Sequence, residues 1–256
     1  MTLSMLATAI AVEGRKAAAS RVLTSTAILL TAGVAALAAA TTAAASSGNE
    51  QLAAKLGPLA AAGGWPAVLD VATQVTAAAG LLAFGVGLSW MFGREFTDGT
   101  ITGLFGLPVS RPALALAKLV VFLLWAAATA TALTIAVALT GLAVTGQVPH
   151  PADWAGLGRL LALAAMTATL AIPAAWAATL GRGLLPAIAT IVGLMAVTQM
   201  IVVAGADGGW FPPAAPALWA LLPATIAPAQ LLLAATFPIA FSMLTLHAWH
   251  RLQLDR

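Results

Sequence analysis

Six stretches, each near or above twenty residues and almost free of charge, constrain this chain more than any other feature. They run approximately over residues 22–45, 71–92, 114–145, 160–180, 184–204 and 228–248. A helix rises 1.5 Å per residue, so about 20 apolar residues cross the hydrocarbon core of a bilayer. Lys118, near the start of the third stretch, is the one charge well inside any of them. That stretch is longer than a bilayer needs, and its first turns, with Lys118, are expected to project into the cytosol. The fold expected is an all-α polytopic membrane protein, a single transmembrane domain over residues 1–256. Only 7% of residues are charged, against about 25% in soluble domains, so a water-exposed surface is excluded.

Charge then sets the expected orientation. With the N-terminus inside, Arg15, Lys16, Arg21, Arg94, Arg111, Lys118, Arg182, Arg251 and Arg256 fall on the cytosolic side and only Lys55 and Arg159 outside, accounting for all 11 basic residues. Such a bias in short loops is the positive-inside pattern. An even number of spans returns the C-terminus to the cytosol, and a plasma-membrane location is expected. The high pI of 10.2 reflects dispersed helix-end cations rather than a nucleic-acid surface, since net charge is only +3. Trp65, Trp154, Trp210 and Trp219 fall at the outer boundary, and Trp90 and Trp249 at the inner one, where amphipathic rings are favoured.

Residues 1–20 carry charge after, not before, their apolar positions, unlike a secretory signal. Leu3, Leu6, Ile10 and Ala17 share one helical face, which predicts an amphipathic interfacial helix. The outer segment 205–225, with Asp207, Trp210 and four prolines, is too apolar for a solvated loop and is expected to form a re-entrant or interfacial cap. Pro173 and Pro238 fall inside spans as potential kinks.

The connection between spans two and three, residues 93–112, is the most informative segment. From Glu95 to Lys118 it reads E-x3-G-T-x3-L-x3-P-V-S-R-x6-K. Phe96, Thr100, Ile101, Leu104 and Leu107 predict one face of a helix of about three turns. Glu95 and Asp98 in its first turn suit the positive end of the helix dipole. Gly99 and Gly103 would leave a bare strip for close packing. Pro108 would stop this helix, and Ser110 would cap the next, with Pro112 in its first turn.

In this run and in its topology the chain resembles the type-2 ABC transporter permeases, the membrane subunits of many bacterial exporters. The resemblance implies a coupling helix that docks on a separate ATPase, with roles for Glu95, Thr97, Gly99, Thr100 and Leu104 as coupling positions, Pro108 as helix stop and Arg111 as anchor. It also implies two ATPase subunits as partners, which would hold ATP and Mg, and a second permease copy or paralogue. No cofactor is expected on this chain.

Catalytic signatures are missing from the sequence. There is no G-x-x-x-x-G-K-[ST] loop around Lys16, Lys55 or Lys118 and no H-E-x-x-H. His247 and His250 share a helix face without a carboxylate nearby. The scarcity of intramembrane ionisable residues argues against proton coupling. Gln74, Thr198 and Gln199 are the deepest polar positions and candidate pathway-lining residues. The function expected is the permease subunit of an ATP-driven exporter for an apolar or amphipathic cargo (drug, antibiotic, peptide or lipid-like), driven by alternating access. A non-transporting scaffold or immunity protein, and an ATP-independent secondary transporter, are the alternatives.

Overall fold

The computed structural model describes residues 3–46, 63–106, 109–203 and 207–253. The helices among them are α1 (Leu3–Ala18), α2 (Arg21–Ser46), α3 (Gly64–Thr97), α4 (Ile101–Phe105), α5 (Arg111–Thr145), α6 (Pro151–Leu170), α7 (Pro173–Leu180), α8 (Leu184–Val203), α9 (Ala215–Leu221) and α10 (Pro228–His250). Six membrane-length apolar spans result: α2, α3, α5, the α6–α7 pair, α8 and α10. The chain is thus an all-α polytopic membrane protein.

Span α3 lies at the centre, packed against α2, α5, α6, α7 and α8. Phe84, Leu88 and Phe92 on it are fully buried. Close approach depends on small residues: a Cβ on Gly93 would lie 2.7 Å from the Leu184 Cα, so only glycine lets α8 start against α3. The outer spans turn apolar side chains outward, with Leu29 of α2 73%, Met200 of α8 71% and Leu232 of α10 70% exposed. Hydrocarbon is the solvent such faces require.

Several expectations change at the level of elements. The fourth span begins at Pro151, nine residues early, because Asp153 folds back to accept the His150 N–H at 2.8 Å and starts the helix there. At Pro173, which has no N–H to donate, the span breaks into α6 and α7. Pro238, by contrast, stays within one continuous helix. The first turns of α5, expected on the cytosolic side, pack against neighbouring helices: Lys118 is 1% exposed and Ala113, Leu114 and Ala115 are buried.

Two tryptophans expected at the boundaries sit at helix ends but turn into the bundle. Trp65 is 2% exposed and donates from Nε1 to the Gln147 carbonyl at 3.0 Å, joining the start of α3 to the end of α5. Trp249 is fully buried and donates to Thr179 Oγ1 at 2.9 Å, joining α10 to α7. Each finds a protein acceptor for its N–H, so burial is favoured over the interface. Trp154 and Trp210 are exposed.

Helix α1 lies along the start of α5, with Ala9 and Glu13 buried and Leu6, Ile10 and Ala17 packed against the core. Ser20 then opens α2, its Oγ accepting the Leu23 N–H at 3.2 Å. At the opposite end of the bundle, the segment after α8 forms a single turn at Gly208–Trp210, then the short α9, then a turn at Pro223–Thr225. Pro213, Ala214, Ala215 and Pro216 are buried there, so this segment folds inward as a cap.

Candidate functional site: a buried charge cluster beneath an exposed loop, and a neutral cavity at the far end

Three segments distant in sequence bring four charges together at the basic end of the bundle. Lys118 of α5 donates to Glu13 Oε2 of α1 and Glu95 Oε1 of α3, both at 2.8 Å, and to the Met91 carbonyl at 3.2 Å. All three ammonium protons therefore have acceptors. Lys16 reaches Glu13 Oε1 at 2.8 Å and Glu95 Oε1 at 3.1 Å. Two carboxylates and two ammonium groups make the set neutral. A buried charge is tolerated only when paired and hydrogen-bonded in this way.

Lys16 is the most accessible member, with 32% of its side chain exposed. Burial alone would lower its pKa. The hydrogen bond and charge of Glu13, followed by those of Glu95, outweigh burial and raise it above 10.5.

The connection between α3 and α5 is built on this cluster. The expected three-turn helix starting at Glu95 does not form. Glu95 and Phe96 instead belong to the last turn of α3, and α4 spans only Ile101–Phe105. Gly99, at φ +68°, makes the break, in a conformation that side chains with a Cβ disfavour. It therefore bends the chain and forms no helical strip with Gly103. Thr100 donates its hydroxyl to Glu95 Oε2, which ties the loop to the cluster.

The coupling positions consequently divide. Glu95 is 2% exposed, and its carboxylate is an internal tie to Lys16, Lys118 and Thr100. Ile101 is buried, and Leu104 and Phe105 pack partly against the core. Thr97, Asp98, Gly99, Thr102 and Gly103 form the exposed side, and nothing lies within 4 Å of a Cβ placed on Gly103. Arg111 stacks on the Phe105 ring, 4.1 Å from its centroid, and donates to the Leu252 carbonyl. Pro108 and Leu107 lie outside the described residues. Ser110 stands at the N-cap of α5, but its hydroxyl makes no capping bond, and Pro112 occupies the first turn as expected.

At the other end, Gln74 of α3 and Thr198 and Gln199 of α8 line one cavity of about 300 Å³. Thr167 and Leu170 of α6 add to its wall, and Pro213–Leu221 cover it. Among the described residues, no charged side chain lines it. Thr198 donates its hydroxyl proton to the Leu194 carbonyl at 2.7 Å.

A family model described as ABC-2 family transporter protein matches residues 9–198. The chain belongs to that family. In this ABC-2 family protein the match begins within α1, takes in the charge cluster and both sides of the exposed loop, and ends at Thr198 of the cavity wall. Membership supports a membrane subunit in transport rather than an enzyme. Comparison with curated proteins gives no match.

Sequence reasoning singled out Glu95 and Lys118 but assigned neither Glu13 nor Lys16 to the same site. The available signal was Lys118 itself, since a lysine within an apolar helix requires carboxylates from elsewhere.

Proposed function

We propose that this chain is the membrane-spanning subunit of an ATP-driven exporter, working with two separate ATPase subunits and a second permease copy or paralogue. The observation that carries this reading is the exposed loop Thr97–Gly106, fastened from beneath by Thr100 to the Glu95–Lys118 cluster. A push on that loop is transmitted directly to α3, α5 and α1, because all three hold charges of the cluster. In this reading the loop faces the cytosol of the plasma membrane, as the bias of basic residues favours, and both termini lie on that side.

An ATPase partner acts by docking differently on the loop in two states of the bundle, since equal docking would shift nothing. Nucleotide and Mg are held by that partner. The proposed cargo class is supported by the wall of the far-end cavity, where glutamine and threonine side chains lie among apolar ones. Such a wall suits an apolar or amphipathic molecule carrying neutral polar groups, including drugs, antibiotics, peptides and lipid-like compounds. Export, rather than import, is carried by family resemblance.

The test is co-purification and coupled turnover with a co-expressed ABC ATPase subunit, comparing wild type with Gly103→Trp. The site has open space for the ring, so the bundle should insert and fold normally. Bulk on the exposed side should reduce association and cargo-stimulated ATP hydrolysis by about tenfold, roughly 1.4 kcal/mol of docking energy. Unchanged assembly and stimulation would remove the loop from the drive mechanism.

A further inference from the structure

The geometry points to a binding site for an anionic phospholipid in the groove between α7 and α10 at the basic end of the bundle. The groove encloses about 460 Å³ and is lined by Arg182, His247 and Arg251 at its mouth, with Trp176, Leu180 and Leu244 along its walls. No acidic side chain among the described residues lines it. Arg251 lines this rim beside Arg182, which is itself held to the Gln253 carbonyl, and the forked donors of an arginine suit a phosphate.

The rim is built rather than incidental. Arg182 adopts φ +49°, outside the range favoured by residues with a Cβ, and donates to the Gln253 carbonyl at 2.8 Å. Arg111 holds the neighbouring Leu252 carbonyl. Together these bonds draw residues 251–253 across the end of α10 and close one side of the groove. Trp249, anchored on Thr179, fixes α10 against α7 beneath it.

Depth decides what kind of molecule fits. From Arg251 back to Leu244 the helix runs roughly 10 Å into the span. Leu180 is 58% and Leu244 41% exposed, and the Trp176 ring is braced by Phe241 at 5.6 Å between centroids. A water-soluble partner would meet the arginines but has no access to walls at hydrocarbon depth. A phospholipid supplies both parts, a phosphate for the cations and an acyl chain for Trp176, Leu180 and Leu244. Basic pockets between helices at the membrane surface are suited to such headgroups.

The experiment uses the purified full chain in a neutral detergent, mixed with phosphatidylglycerol or phosphatidylcholine, with retained lipid counted by native mass spectrometry. Wild type should retain phosphatidylglycerol in preference to phosphatidylcholine. Arg251→Gln should weaken that retention by about fivefold, and Arg182→Gln with Arg251→Gln by more. Should the double variant fail to fold, Arg251→Gln and His247→Gln carry the test, since both positions are on the exposed side of α10. Leu244→Gln separates lipid from free phosphate: it should weaken phosphatidylglycerol retention while leaving competition by inorganic phosphate unchanged. Equal retention of the two lipids overturns the proposal. So does equal retention of phosphatidylglycerol by wild type and Arg251→Gln, the result expected if the groove serves a soluble protein partner. Complete displacement of phosphatidylglycerol by millimolar inorganic phosphate would reduce the site to an anion site and overturn the lipid assignment.

Discussion

Lys118 is embedded in an apolar helix, with its two carboxylate partners contributed by other segments. Breaking a buried ionic set by removing one partner costs about 3–5 kcal/mol, because the remaining charges lose their compensation. Lys118→Met is therefore expected to lower stability by about that amount, read as a fall in the unfolding midpoint of the purified protein. Adding Glu95→Gln should recover part of the loss by removing the surplus negative charge. A Lys118→Met protein as stable as wild type would show that the cluster does not hold the bundle together. Lys16 gives a second, pH-dependent readout. Its pKa is raised in the folded protein, so its contribution is complete below 10.5 and disappears as pH climbs through the raised value. Thermal stability should therefore fall more steeply above about pH 10 in wild type than in Lys16→Met, which lacks the titrating group. The difference should be small, because solvent reaches a third of the Lys16 side chain and screens its pairs.

Among the elements, the connection between α3 and α5 shows how one backbone angle redirects an amphipathic pattern. The apolar positions Phe96, Ile101 and Leu104 satisfy a continuous helix as well as they satisfy the observed arrangement. Gly99 selects between them, because its left-handed turn ends α3 and lets α4 start on a new axis. Gly99→Ala is expected to destabilise the native loop by about 1–2 kcal/mol, the cost of a left-handed conformation with a Cβ. Limited proteolysis at residues 98–106 should then proceed severalfold faster than in wild type, whereas Gly103→Ala should not differ. Equal cleavage of all three proteins would mean that the turn does not depend on this glycine. Helix α1 is decided in a similar way. Its sequence pattern describes an interfacial helix, and its docking on α5 comes from Glu13, which the pattern alone leaves on the polar side.

For the whole molecule, alternation of the spans places the exposed α3–α5 loop and residues 251–253 at one end and the α9 cap at the other. Tagging should follow that division. Single cysteines introduced into this cysteine-free chain at Thr102 and Gln253 should resist a membrane-impermeant thiol reagent in intact cells. One at His150 should react. Labelling of Thr102→Cys without permeabilisation would invert the molecule and place the loop out of reach of any cytosolic ATPase. The two ends also differ in chemistry. The basic end stores charge in a neutral buried set, while the far end encloses a cavity that no charged side chain among the described residues lines. Span α3 runs between the two ends, with Glu95 near one and Gln74 near the other.

Length, hydropathy and charge bias were sufficient for six spans, for their order and for the existence of α1, because a bilayer imposes those constraints locally along the chain. The family's spaced run from Glu95 to Lys118 was also readable, as a string of residue types. What the string meant structurally was not. Periodicity cannot show that Glu95 turns inward, that Trp65 and Trp249 find carbonyl and hydroxyl partners inside the bundle, or that Glu13 meets Lys118 across most of the first half of the chain. Those outcomes depend on which donors and acceptors the packed helices bring within about 3 Å of one another, and in a low-dielectric interior that proximity outweighs any local preference. The same holds for the cavity around Gln74, Thr198 and Gln199. Each was visible as a polar residue in an apolar span, and only the crossing of α3 and α8 beneath the α9 cap made them one surface.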